Sequence, residues 1–92
     1  MGYESSVQLR APFKELSVAN TAALARYLGH VDARSRLSLD LATVESCDAV
    51  GVATVGAAYR RHKANGSVLR VVNALPEVRQ AFENVGLVAL FE

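Results

Sequence analysis

Residues 36–66 read RLSLDLATVESCDAVGVATVGAAYRRHKANG, and within them the hydrophobic period changes. Leu37, Leu39 and Leu41 alternate with Arg36, Ser38 and Asp40, which is the period of a strand over Arg36–Ala42, with Val44 extending the apolar path. After Asp48 the spacing becomes helical, with Val52, Val55 and Tyr59 on one face. Asp48 reads as the N-cap, its carboxylate matched to the positive end of the helix dipole. Arg60, Arg61, His62 and Lys63 crowd the last turn, where cations complement the dipole, and Asn65-Gly66 is a left-handed stop.

The flanking sequence repeats this alternation of strand and helix. Ser6–Arg10 is a strand through Val7 and Leu9, and Pro12 ends it or confines it to a sheet edge. Ser17 is placed as the cap of a first helix over Val18–His30, with Val18, Ala22, Ala25 and Leu28 in its stripe, Leu24 and Val31 widening it, and Gly29 near its end. Ser67–Val72 is a short apolar strand. Pro76 occupies the first turn of a third helix, whose stripe is Val78, Ala81, Phe82 and Val85. Gly86 ends it, and Leu87–Phe91 is a final apolar segment, taken as a strand. The order β-α-β-α-β-α-β predicts an α/β domain with a mostly parallel sheet, right-handed crossovers and helices mainly on one face.

The 92 residues are expected to form a single domain over 1–92. Ten basic and nine acidic residues leave a net charge of +1, so no nucleic-acid footprint is expected. Without Trp, and with three Tyr and three Phe, aromatic stacking on bases is also not expected. A single cysteine, Cys47, excludes an internal disulfide and fails every multi-thiolate metal pattern. Met1–Arg10 shows no apolar run of a signal peptide, and no window approaches the roughly 18 apolar residues of a membrane span. The simplest setting is soluble, reducing and cytoplasmic, with no direct membrane insertion.

Few residues carry chemistry. Gly51 and Gly56 lack the lysine of a phosphate loop. His30 and His62 have no clustered carboxylate or thiolate and read as helix-end residues rather than metal ligands. Cys47 lies near a helix N-terminus, which depresses a thiol pKa, but Asp48 and Glu45 oppose this, so it reads as a small buried hydrophobe. Asp48 has no nucleophile or second acid–base partner in evident reach, which favours a cap over a general base. The basic run points in several directions and forms no single patch. No catalytic residue, metal or cofactor is expected.

One helix face is unusual. Val50, Ala53, Thr54, Ala57 and Arg61 share a face opposite the Val52, Val55, Tyr59 stripe. A solvent-facing helix would carry Glu, Lys or Gln there. This face is either packed within the domain or a protein-docking surface at the helix N-terminus.

The stretch Leu39-Asp40-Leu41-Ala42-Thr43-Val44-Glu45-Ser46-Cys47-Asp48-Ala49-Val50-Gly51-Val52 resembles the signature of STAS domains, found in sulfate transporters and anti-sigma factor antagonists. Asp40, Leu41, Val44, Cys47, Asp48, Gly51 and Val52 fit the pattern in type or in kind. Asn65-Gly66, the strand over Val68–Val72, Pro76-Glu77-Val78 and Val85-Gly86-Leu87 resemble its closing part. Upstream, Glu15-Leu16-Ser17 is similar to the family's Gly-Glu-Leu-Asp turn, without its glycine. The resemblance implies a four- to five-stranded mixed sheet with three to four helices mainly on one face, and function through protein contact. It places partner binding at Asp48, Ala49, Val50, Gly51, Ala53, Thr54 and Ala57. In anti-sigma factor antagonists the second serine after the aspartate is phosphorylated, adding about two negative charges beside the docking surface. Here the two serine positions are Ala49 and Val50, so no phosphorylation site is expected. Ser46 and Thr54 occupy other positions in the pattern.

Two partner classes follow from the resemblance. One is an anti-sigma kinase-like or switch protein. The other is the ATPase of a phospholipid ABC transporter, contacted by a small STAS subunit. A homodimer with two-fold symmetry is compatible with the sequence.

Overall fold

Leu37 and Leu39 project from the central strand into the core and are buried, whereas Ser38 and Asp40 point to the other side and are half-exposed. The computed structural model describes residues 6–91. Strand β1 (Ser6–Arg10) and strand β2 (Glu15–Leu16) precede helix α1 (Thr21–Gly29). Strand β3 (Arg36–Asp40) and strand β4 (Ser46–Cys47) follow, then helix α2 (Ala49–Ala64), strand β5 (Leu69–Val72), helix α3 (Pro76–Glu83) and a 3-10 helix (Val88–Phe91).

The main sheet has the order β1-β3-β5 and is parallel throughout, with Leu9 beside Leu39 and Leu39 beside Val71. Its core face carries Val7, Leu9, Leu37, Leu39, Leu69 and Val71. The opposite face carries Ser6, Gln8, Arg10, Ser38, Asp40 and Arg70, all exposed or half-exposed. Among the described residues helices therefore cover one face, an arrangement more familiar from antiparallel sheets.

The expected four- to five-stranded mixed sheet with helices is met in part, as an α/β arrangement whose strands are divided. The described residues form two parallel sheets, of three and two strands. The division begins at Asp40, where the expected strand over Arg36–Ala42 stops short. The Asp40 carboxylate accepts the Ala42 N–H at 2.8 Å, which turns the chain out of the ladder. Val44 then closes a turn onto the Leu41 carbonyl. The two-residue strands β2 and β4 pair Glu15 with Ser46 and Leu16 with Cys47; neither was expected as a strand.

Three further expectations change. The first helix starts at Thr21, not Val18, and Ser17 does not cap it. Ser17 instead belongs to a separate turn, its N–H donated to Asn20 Oδ1 and its hydroxyl to Glu15. Leu24 and Leu28 are the buried residues of α1, while Val18 is 67% exposed. Val85 lies beyond α3 and is exposed rather than part of its stripe. The terminal segment is a 3-10 helix, not a strand. Leu87, Leu90 and Phe91 are its inward residues while Val88 and Ala89 face out, a spacing that suits a helical turn. Gly86, at φ +84°, turns the chain into it, and Phe91 packs edge-on against Phe82 at 5.9 Å.

Helix α2 has the expected limits. Asp48 accepts the Gly51 N–H, and Gly66 takes the left-handed conformation at φ +76°. It packs against α1, α3, β2, β4 and β5. Gly51, Val52, Val55, Gly56, Ala58 and His62 are all buried, so more of its circumference is covered than one apolar stripe would indicate. At Gly51 an added Cβ would lie 2.0 Å from the Leu16 carbonyl oxygen. Only glycine permits this approach of helix to strand backbone.

His62 is corrected too. It is fully buried rather than a dipole-complementing cation. Its Nδ1 donates to the Ser35 carbonyl at 2.9 Å, which assigns the proton to Nδ1 because a carbonyl only accepts. Its Nε2 has no partner among the described residues. Burial depresses its pKa, against the opposing effect of the Ser35 hydrogen bond.

Two outcomes follow. Gly51→Ala destabilises the domain by about 3 kcal/mol or more, because backbone rather than a flexible side chain blocks the methyl group. Thermal denaturation should show a drop of about 10 °C or more. For His62, the folded state resists the proton that the unfolded chain accepts near pH 6.5. Stability is then fully present above that value and falls as the pH drops below it. Melting curves between about pH 7.5 and about pH 5.5 should show this slope, and His62→Gln should flatten it.

Candidate functional site

The N-terminal end of α2 is built from backbone hydrogen bonds around one carboxylate. Asp48 Oδ1 accepts the Gly51 N–H at 2.8 Å, and Oδ2 accepts the Val18 N–H at 2.9 Å. The first joins the helix and the second ties down the Ser17–Asn20 turn. These bonds, with a weaker contribution from Val50 N–H, hold the Asp48 pKa below its ordinary value. A carboxylate so engaged is a weak base and a structural clamp. Cys47 beside it is half-buried, and burial followed by the Asp48 charge raises its thiol pKa. It is therefore a protonated thiol at neutral pH.

Val50 is 42% exposed, and the helix face it begins is open. Between α1 and α2 lies a shallow groove of about 470 Å³. Ala25, Leu28 and Gly29 line the α1 side, and Val50, Ala53 and Ala57 the α2 side. Alanine and glycine keep the rims low, which leaves the groove open although the helices are in contact. Its floor includes Thr54, whose hydroxyl donates to the Val50 carbonyl and is hydrogen-bonded to Thr21 Oγ1. At the far end Arg61 donates to the Leu28 and Val31 carbonyls at 3.1 and 3.4 Å, binding α2 to the C-terminus of α1. A smaller depression of about 220 Å³ lies on the other side of α2, bounded by Ala49, Ala53, Gly56, Val85 and Leu87. Ala49, Ala53 and Ala57 thus form an exposed ridge of small residues beside the apolar groove, with the smaller hollow, which Arg60 also lines, next to Ala49 and Ala53.

The structure places Asp48, Ala49, Val50, Ala53 and Ala57 at the surface and Thr54 half-buried. Gly51 is buried under Leu16, so it shapes this end of the helix without reaching the surface. The choice between a packed face and an open one is thereby decided for Val50, Ala53 and Ala57. Sequence reasoning missed the other side of the groove, Ala25 and Gly29, and the exposed Val18 and Val85. Val18 was assigned to a buried stripe, and no signal separates an apolar residue in a helix from one in the turn before it. Among the described residues no group of three His, Cys, Asp or Glu could hold a metal ion. No helix among them is long and apolar enough to cross a membrane.

No curated protein matches the sequence closely enough to count as a relative. Residues 14–92 match the family model described as "Mlab, STAS domain". That match covers most of the chain, from β2 through the terminal 3-10 helix, and includes the glycine approach, the aspartate cap and the open helix face. The chain therefore belongs to the STAS domain family.

Proposed function

We propose that this STAS domain is a non-catalytic protein-interaction module that docks a regulatory partner on α2. Its partner resembles that of an anti-sigma factor antagonist, a kinase-like or switch protein. The observation that carries this reading is Val50, an exposed apolar side chain at the mouth of an apolar groove. Asp48 and Gly51 hold the first turn, while Ala49, Val50, Ala53, Thr54 and Ala57 provide the contact surface. The backbone of a partner can come close because the ridge residues are small.

Ala49 and Val50 stand where the family pattern has serines, and neither carries a hydroxyl. The surface then has no phosphate to repel a partner, and docking is constitutive or is controlled by abundance or by another domain. This permanence favours a second reading, an accessory subunit of a phospholipid ABC transporter that contacts its ATPase. Both readings use the same surface in the cytoplasm, and the partner recovered separates them.

Affinity capture of the tagged protein from its native lysate, beside a Val50→Arg variant, tests the proposal. The wild type should retain an anti-sigma-type kinase or an ABC ATPase, and the variant should lose it. With the purified partner, Val50→Arg should weaken binding at least about 30-fold. The variant's circular dichroism should be unchanged, because Val50 is already part-exposed. Equal retention of the partner by both proteins would remove α2 from the interface.

A further inference from the structure

The two helices that border the open groove carry charge of one sign. Helix α1 has Arg26, helix α2 has Arg60, Arg61 and Lys63, and neither contains an aspartate or a glutamate. The whole chain is nearly neutral, with ten basic and nine acidic residues, so its carboxylates lie off these two helices. Among the described residues the ion pairs join Arg10 to Asp40, Arg34 to Asp32 and Arg79 to Glu83, none of them on α1 or α2. Asp32, whose charge is within range of Arg61, is engaged by Arg34 at 3.1 Å. Arg26, Arg60 and Arg61 are exposed and have no carboxylate partner among the described residues. Their positions follow the groove. Arg61 lines its far end. Arg60 comes three residues after Ala57 and continues the exposed ridge of α2, and Arg26 comes three residues before Gly29 on α1. The groove thus has an arginine position on each flank and one at its end. The floor between them is apolar, and Val50 to Arg61 is about 16 Å of helix axis. Lys63 stands over the Tyr59 ring at 6.0 Å, on another side of α2.

We propose that this groove receives an acidic amphipathic helix of the partner protein, its apolar stripe against Ala25, Ala53 and Ala57 and its carboxylates on Arg26, Arg60 and Arg61. The proposal names the partner's chemistry at the α2 surface and rests on the docking reading given above. The length fits, since about 16 Å is about three turns of a helix. A stripe of larger apolar side chains fills the space that alanine and glycine leave between α1 and α2. Arginines around an apolar floor call for both parts of such a ligand. A polyanionic backbone meets the charge and leaves the floor wet, whereas a purely apolar helix leaves the guanidinium groups without counter-charge. Charge also sets the direction. The near end of the groove at Val50 lies beside the exposed carboxylate of Asp48, which repels acidic groups. The partner's carboxylates therefore belong to the turns that lie over the second half of α2. Attraction of this kind depends on ionic strength, because the arginines are exposed.

Two synthetic helical peptides of about 15 residues test this, with one leucine stripe in common and either glutamates or lysines on both sides of it. Titrated into the isotope-labelled full chain, the glutamate peptide should shift the amide resonances of Ala25, Gly29, Ala53 and Ala57. It should bind at least about tenfold more tightly than the lysine peptide. Its affinity should fall at least about threefold between about 0.05 M and about 0.5 M salt. The double variant Arg26→Glu, Arg60→Glu should invert the preference with unchanged circular dichroism, since both side chains are exposed. If that variant does not fold, the two peptides on the wild type decide alone. Equal affinity of the two peptides overturns the inference, and so does a glutamate peptide that shifts other amides or none. A folded double variant that still prefers the glutamate peptide overturns it too. In each of these outcomes, loss of the captured partner by Val50→Arg would still uphold docking on α2, to a partner of another chemistry. A captured partner that Val50→Arg retains overturns both.

Discussion

The first turn of α2 touches the backbone of β2 at Gly51, and the arrangement of the domain depends on that contact. A Cβ there would stand 2.0 Å from the Leu16 carbonyl oxygen. The same carbonyl accepts the Asp48 N–H at 2.9 Å, and the Asp48 carboxylate bonds to both the helix and the Ser17–Asn20 turn. One short segment therefore joins β2, β4, the turn before α1 and the start of α2. With this end held, the axis of α2 is aimed across the sheet, and Val52 and Val55 are buried beneath it. The family glycine and aspartate serve this junction, and Ala49 and Val50 between them face outward.

The helix so placed is in contact with neighbours along most of its length. Its buried face is continued by His62, which enters the interior with an Nε2 that has no partner among the described residues. Arg61, next to it, turns outward far enough to cap the carbonyls of α1. Adjacent residues in a basic run thus have opposite fates, one neutral and buried, the other charged and holding two helices together. The small residues of the remaining face stay exposed beside α1 and α3. The apolar groove is the consequence of that geometry, since Ala25, Gly29, Ala53 and Ala57 are too short to fill the space between the helices.

Among the described residues the face of the main sheet away from the helices is polar and meets solvent. A parallel sheet normally has both faces covered, and its strands then read as continuous apolar runs. Here Gln8, Ser38 and Arg70 lie side by side across the three strands. Their polarity lets this face meet water, and their alternation with Leu37, Leu39 and Leu69 makes β3 and β5 easy to recognise from sequence. It also confines the apolar burial of this sheet to one side.

The sequence by itself determined the order of the main strands and helices, the cap at Asp48, the stops at Gly66 and Gly86, and the absence of hydroxyls at Ala49 and Val50. These rest on interactions within a few residues, which a pattern records directly. Tertiary structure alone decided that Val50 is open, that Gly51 is shut beneath Leu16, and that His62 is buried and neutral. It also decided that the sheet divides at Asp40 and that the last apolar segment coils instead of pairing. Each of these depends on what lies across from a residue rather than beside it in the chain. A helical period shows that a face exists, but only the neighbouring helices show whether it is covered.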